Sequence, residues 1–206
     1  MELYLIRHGK TKGNGEGRYI GSTDEPLSAE GRRELTEVLW KGGYRGTGLK
    51  KPLAVYVSGL VRTQETAGLL FPEAELTVRC GFNECDFGEF ENKSYEELKE
   101  NPAYAAWIES SGVLAPPGGE AKADFAGRTL RAFEEAVSEQ LSKGEEGAVA
   151  FVVHGGSIMA ILEHYGFPRE GFYHWQAKNG CGYRAVLHGG KWLAGERNLT
   201  EIRSIP

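Results

Sequence analysis

The run Ala148-Val149-Ala150-Phe151-Val152-Val153 constrains the fold more than any other stretch of this 206-residue chain. Six consecutive apolar residues without a turn former read as a buried strand, and the run stops abruptly at His154-Gly155-Gly156. Two further apolar runs end in the same manner. Glu2 to Ile6 leads into Arg7-His8-Gly9, and Leu53 to Val57, after Pro52, leads into Ser58-Gly59. Glu75 to Arg79 reads as a weaker strand. Helical patterns lie between these runs: Ser28 caps a helix to about Trp40 with Leu35, Val38 and Leu39 on one face, and a second helix spans about Leu60 to Leu70. Ser94-Tyr95-Glu96-Glu97 and Asn101-Pro102 each open a short helix. A long amphipathic helix over about Lys122 to Leu141 follows, with Phe125, Leu130, Phe133, Val137 and Leu141 facing the core. Ser157 to Tyr165 is read as the next helix, opening directly after Gly155 and Gly156 so that free backbone N–H groups point at an anion. Near the end, Cys181–Leu187 and Lys191–Ala194 are predicted to be strands joined by a His188-Gly189-Gly190 turn. This order implies an α/β fold, a three-layer α/β/α sandwich with a mainly parallel sheet and an antiparallel edge strand. No linker interrupts it, so residues 1–206 are expected to form a single domain.

The net charge of −5, with no run of five basic residues to offset it, argues against nucleic acid and against an acidic membrane surface as partners. Any anion site must be local. Cys80, Cys85 and Cys181 make no C-x-x-C pair and no even disulfide framework, which fits a reducing compartment. With no apolar run of membrane-span length and a strand-like start in place of a signal peptide, a cytoplasmic location is expected, as a monomer or homodimer.

Three strand exits carry ionisable groups: Arg7 and His8, Ser58 with Arg62 in the helix that follows, and His154 with Gly155. If the strands are neighbours, these groups share one edge of the sheet, where open α/β sheets collect ligands. The segment Lys10 to Pro26, rich in Gly, Asn, Thr, Ser and Asp, reads as a long functional loop. A second loop, Cys80 to Asn92, interleaves Glu84, Asp86, Glu89 and Glu91 with Phe82, Phe87 and Phe90, and spacing alone does not choose among its carboxylates. Two arginines, two histidines and glycine N–H groups, without metal-ligand spacing, point to a phosphoryl group held without a metal. The partner expected is a small phosphorylated metabolite, and no cofactor is expected.

The block Arg7-His8-Gly9-x-Thr11-x-x-Asn14, then Gly17-Arg18-Tyr19-x-Gly21-x-x-Asp24-x-Pro26-Leu27-Ser28, resembles the signature of the histidine phosphatase (phosphoglycerate mutase-like) superfamily. Ser58-x-Leu60-x-Arg62-x-x-x-Thr66-Ala67, Glu84-x-x-Phe87-Gly88-x-Phe90-Glu91 and Val153-His154-Gly155-Gly156 resemble its later blocks in the same order. The resemblance implies a phosphomonoesterase in which His8 is the nucleophile that forms a phosphohistidine. It selects Glu84 as the acid that protonates the leaving alkoxide and the base that then activates water. Arg7, Arg62, His154 and Asn14 are implied to hold the phosphoryl oxygens, with Gly155 contributing at the helix start, and residues of about 85–120 to form a lid-like insertion.

Tyr104-x-x-Trp107, Pro117-Gly118-Gly119-Glu120, Phe172-Tyr173-His174-Trp175 and Asn179-Gly180-Cys181 resemble the α-ribazole phosphatase branch, which removes the 5′-phosphate from a cobalamin lower-ligand precursor. A phosphoglycerate mutase-type phosphotransferase and a non-catalytic phosphate-sensing module are the alternatives. The short middle region argues against the first, and the presence of every histidine and arginine of the set argues against the second. Lys10 stands where Glu or Gln is usual in the family, Ala121 where Ser is usual and Asn92 where Gly is common; none of these removes a proposed catalytic group. His164, His174 and His188 are read as structural or surface residues.

Overall fold

The strand β4 (Ala148–Val153) is buried over its whole length and lies between β1 (Glu2–Arg7) and β2 (Pro52–Val57), parallel to both. In the computed structural model, which describes residues 1–144 and 147–206, these belong to a six-stranded sheet of order β3-β2-β4-β1-β5-β6. β3 (Leu76–Val78) pairs parallel to β2, whereas β5 (Gly182–Leu187) runs antiparallel to β1, and β6 (Leu199–Ile205) antiparallel to β5. The three strands whose exits carry ionisable groups are therefore adjacent, and their C-terminal ends share one edge.

The helices between strands are α1 (Lys12–Gly15), α2 (Ala29–Arg33), α3 (Gly43–Gly46), α4 (Val61–Leu70), α5 (Tyr95–Leu98), α6 (Pro102–Glu109), α7 (Lys122–Ser142), α8 (Gly155–Tyr165) and α9 (Gly189–Leu193). Side chains alternate across the strands and build a core on each face of the sheet. Leu3, Leu5, Tyr56, Phe151 and Val153 pack against Phe133 and Val137 of α7 and Ile158 and Ile161 of α8. Tyr4, Ile6, Val55, Val57 and Val152 pack on the other face with Leu35, Trp40, Tyr44, Ala67 and Leu70. Two helical layers around one sheet are the three-layer sandwich. A third, smaller cluster of Phe90, Leu98 and Tyr104, flanked by Tyr19, Phe87 and Trp107, lies under α5 and α6.

Two local expectations need correction. Ser28 caps α2, but the helix changes at Glu34 into a π-type turn to Leu39, where the Trp40 N–H reaches back five residues to the Leu35 carbonyl. The wider turn rotates the face, so Leu35 is buried while Val38 is 70% exposed. Lys191–Ala194 is not a strand either. His188 to Leu193 turns into α9, which buries Trp192 against Phe133 and Tyr165. The second antiparallel strand is β6, and its register against β5 slips between Arg184 and Val186, with Glu201 at φ +51°. That bulge breaks the period of two by which a strand is read from sequence.

The central aromatic contact offers a direct test of this core. Phe151 stacks on Tyr56 with ring centroids 5.3 Å apart and meets Phe133 at 5.1 Å. Phe151→Ala should lower unfolding free energy by about 3–5 kcal/mol, measured by urea denaturation. A loss of under ~1 kcal/mol would contradict this packing.

Candidate active site

β1 ends at Arg7 and hands His8 to the sheet edge, where the His8 N–H donates to the Val153 carbonyl at 3.0 Å. His8 is buried at 3% exposure. Its Nδ1 lies 2.7 Å from the Gly9 carbonyl, and because a carbonyl only accepts, Nδ1 carries the hydrogen and Nε2 keeps its lone pair. Burial holds the His8 pKa well below the ordinary imidazole value, and the Arg62 and Arg7 charges push it the same way. The ring is thus a neutral nucleophile in form. His154, fully buried, sits edge-on to His8 with centroids 5.1 Å apart. Its Nε2 is 2.8 Å from Ser58 Oγ, while its Nδ1 is buried with no partner among the described residues. Burial lowers its pKa as well, and the Arg62 and Arg7 charges push it the same way.

Arg62 stands in the first turn of α4 and is completely buried. Its Nη1 donates to the Thr23 carbonyl at 2.7 Å and its Nη2 to the Gly21 carbonyl at 2.8 Å, both in the loop after α1. Arg7 Nη1 donates to the Ala177 carbonyl at 2.9 Å. In both arginines the Nε is buried without a partner, and among the described residues neither guanidinium makes an ion pair. Burial lowers both pKa values, with Glu84 opposing it. A buried and a partly buried cation with no carboxylate in contact are costly unless an anion completes them.

The loop behind them is tied by its own polar groups. Thr11 and Asn14 form a capping box, and Asn14 Oδ1 also accepts from Asn179 Nδ2 at 3.0 Å. The Gly180 N–H bridges the Arg7 and His8 carbonyls at 3.1 and 3.0 Å, so the Asn179-Gly180 segment grips the exit of β1. Thr66 Oγ1 accepts from the Gly9 N–H at 3.0 Å and donates to the Arg62 carbonyl at 2.7 Å, which couples the two exits.

The four carboxylates of the 80–92 loop separate by what they accept. Glu91 takes the N–H groups of Gly21, Ser22 and Phe87 and the Thr23 hydroxyl, and Asp86 takes the Ser22 hydroxyl and the Gly88 N–H. Both shape loops. Glu89 is exposed. Glu84 accepts from its neighbour Cys85 N–H at 3.0 Å and from the Gly156 N–H, at the start of α8, at 3.2 Å. A Cβ on residue 156 would collide with the Glu84 carboxylate and lie 2.9 Å from the Phe125 ring, so this contact requires glycine. The helix thus opens at Gly155, ahead of the expected Ser157, and one of its first N–H groups serves Glu84.

Above these groups lies a cavity of about 300 Å³ lined by Arg7, Asn14, Glu84 and Gly155 together with a set of aromatic residues. His8, Arg62 and His154 are buried around its cationic end and are not part of its lining. Tyr19, Phe87, Trp107, Phe125, Phe172 and Tyr173 form the walls. Thr66, Tyr104 and the Phe172 segment are marked only by resemblance, and the place of Phe125 beside Glu84 carries no signal beyond amphipathic spacing. Cys85 also lines the cavity, but burial pushes its thiol up to about 12, which leaves it protonated. Lys10 pairs with Glu34 at 3.2 Å, and His174, half exposed, lies 3.8 Å from Glu170; neither lines the cavity. Among the described residues there is no cluster of three His, Cys, Asp or Glu able to hold a metal ion, and no helix is long and apolar enough to cross a membrane.

Comparison with known proteins identifies the family. Residues 3–200 match the family model described as histidine phosphatase superfamily (branch 1). The chain is 30% identical over 190 residues to the adenosylcobalamin/alpha-ribazole phosphatase of Escherichia coli K-12, covering 88% of this chain and 87% of that protein. It is 32% identical over 171 residues to a 2,3-bisphosphoglycerate-dependent phosphoglycerate mutase 2 of Gloeobacter violaceus, covering 78% and 73%. Among solved structures, the alpha-ribazole phosphatase of Shigella flexneri superposes with a TM-score of 0.77 at 26% identity, over 100% of this chain and 96% of that one. With a family model spanning nearly its whole length, the chain belongs to the histidine phosphatase superfamily.

Proposed function

We propose that this protein is a metal-independent phosphomonoesterase that hydrolyses a small phosphorylated metabolite through a phosphohistidine on His8. One observation carries this reading: a buried neutral imidazole, its Nδ1–H held by the Gly9 carbonyl, stands with the buried Arg62 and the partly buried Arg7, neither of which pairs with a carboxylate among the described residues. The chemistry follows in two steps. His8 Nε2 attacks phosphorus in line, the ester P–O bond breaks, and Glu84 gives its proton to the departing alkoxide. Water then attacks the phosphohistidine, Glu84 takes a proton from it, and the P–N bond breaks with its electron pair returning to Nε2. Arg7, Arg62, His154 Nδ1, Asn14 and the N–H of Gly155 hold the phosphoryl oxygens, so positioning and charge supply most of the rate.

The leaving group lies in the aromatic cavity. Six aromatic side chains over a cationic floor suit a phosphate ester whose alcohol carries a flat aromatic ring, and α-ribazole 5′-phosphate, a nucleotide with such a base, is the substrate we favour. The likeness to alpha-ribazole phosphatases supports the same choice. A three-carbon acid such as phosphoglycerate leaves those walls uncovered, which disfavours a mutase. Residues 85–120, which carry Phe87 and Trp107 over the cavity, act as its lid in this reading.

Turnover of α-ribazole 5′-phosphate should persist in EDTA, vanish in His8→Ala, and exceed turnover of 3-phosphoglycerate in kcat/KM by about tenfold or more. Undiminished hydrolysis in His8→Ala would overturn the mechanism, and a preference for phosphoglycerate the substrate.

The histidine environments predict a pH dependence. Both His8 and His154 have native pKa values below the ordinary one, so the folded state binds fewer protons than the unfolded chain. Their neutral burial therefore leaves stability intact above pH ~6.5 and erodes it as pH falls below that value. Ring-nitrogen NMR should show both histidines unprotonated when pH passes down through ~6.5 in the folded protein. A midpoint at the ordinary value for either ring would contradict the burial described.

A further inference from the structure

Arg128, in the second turn of α7, belongs to none of the groups used above, yet every donor of its guanidinium is engaged. Its Nε and Nη2 each donate at 2.7 Å to one oxygen of Glu120. Nη1 donates to the carbonyls of Gly81 at 3.0 Å and Asn83 at 2.6 Å, and Nη2 also donates to the carbonyl of Glu84 at 2.9 Å. That uses all five guanidinium N–H groups, the fork geometry only arginine offers. The pair is partly buried, with 24% and 20% side-chain exposure, so solvent screens it less than a surface ion pair.

The arrangement joins three separate segments. The Glu120 N–H donates to the Asp86 carbonyl at 2.9 Å, and Asn83 Oδ1 accepts from the Gly59 N–H at 2.7 Å, so the loop before and after Glu84 is pinned on both sides. The Glu84 carboxylate itself takes only the Cys85 and Gly156 N–H groups among the described residues. No side chain orients it. Its position is therefore inherited from the backbone of residues 81–84, which is what Arg128 holds.

We infer that Arg128, locked by Glu120, is the positioning residue that aims Glu84 at the leaving oxygen. The inference rests on the reading of Glu84 as the general acid. A displaced acid harms only those reactions that need the proton, which separates this role from a general contribution to folding.

The test compares kcat/KM for phenyl phosphate, whose alkoxide must be protonated, with that for 2,4-dinitrophenyl phosphate, whose leaving group departs unprotonated. Glu84→Gln sets the reference: about 10²-fold loss on phenyl phosphate with little on the dinitrophenyl ester. Arg128→Lys should show the same bias, about 30-fold against threefold or less. Glu120→Gln, which keeps Arg128 but breaks its two-point lock, should show the bias at about fivefold and carries the test if Arg128→Lys does not fold. Equal losses on both esters, or none, in the Arg128 and Glu120 variants beside a biased Glu84→Gln would overturn the positioning role alone. An unbiased Glu84→Gln would overturn the assignment of Glu84 and the positioning role with it.

Discussion

Positive charge buried without a contacting counter-charge is the condition around which this molecule is arranged. Arg62 has no exposed surface, Arg7 lies at the end of the central strand pair, and each keeps a buried Nε without a partner among the described residues. Desolvating a guanidinium costs several kcal/mol even after relaxation, and backbone carbonyls recover only part of that. The carbonyls of Gly21, Thr23 and Ala177 supply that part and leave one edge of each guanidinium unsatisfied. In the proposed function a dianionic phosphoryl group restores the balance, so that the same energy that would destabilise an empty site becomes affinity and charge stabilisation when the site is filled.

Keeping that edge cationic in a chain of net charge −5 requires nearby carboxylates to be engaged elsewhere. Asp24, Glu25 and Glu91 act on Arg62 through space, but each is committed to backbone: Asp24 to the Val61 N–H at 2.8 Å, Glu25 to the Gly13 N–H at 3.1 Å, and Glu91 to Gly21 and Ser22. These bonds shape the long loop from Lys10 to Pro26 and hold the acids out of ion-pair range. Loop order and site charge are one arrangement. Glu84 is the carboxylate of this group that also lines the cavity, which is where a proton donor is needed.

Strand exits were legible from sequence because each depends on local contrast. An apolar run that halts at Arg7-His8 or at His154-Gly155 states its own boundary, and parallel order then makes the ends neighbours. Features set by non-local bonding were not. Four acidic residues in one loop have the same chemistry, and what singles out Glu84 is a bond to Gly156, 72 residues away. Arg128 reads as one more charged position on an amphipathic helix until its carbonyl partners 44 to 47 residues upstream are seen. Val38 failed because a π-type turn shifts the helical period on which its face was read, and Lys191–Ala194 because four residues are too short to separate a strand from the single helical turn that buries Trp192.

The similarity of this chain both to phosphatases and to a phosphoglycerate mutase follows from a division of labour within the site. In the proposed mechanism, transfer of a phosphoryl group to His8 needs only the cationic floor, the freed Nε2 and an acid, and is indifferent to the alcohol that leaves. What happens next depends on the space above the floor. A site closed around a small charged acceptor returns the phosphoryl group to it, whereas this cavity, lined by Tyr19, Trp107, Phe172 and Tyr173 as well as Arg18 and Lys122, is proposed to hold a larger aromatic alcohol that leaves. In the proposed function, water is then the acceptor left beside Glu84, with hydrolysis set by the walls and phosphohistidine formation by the floor.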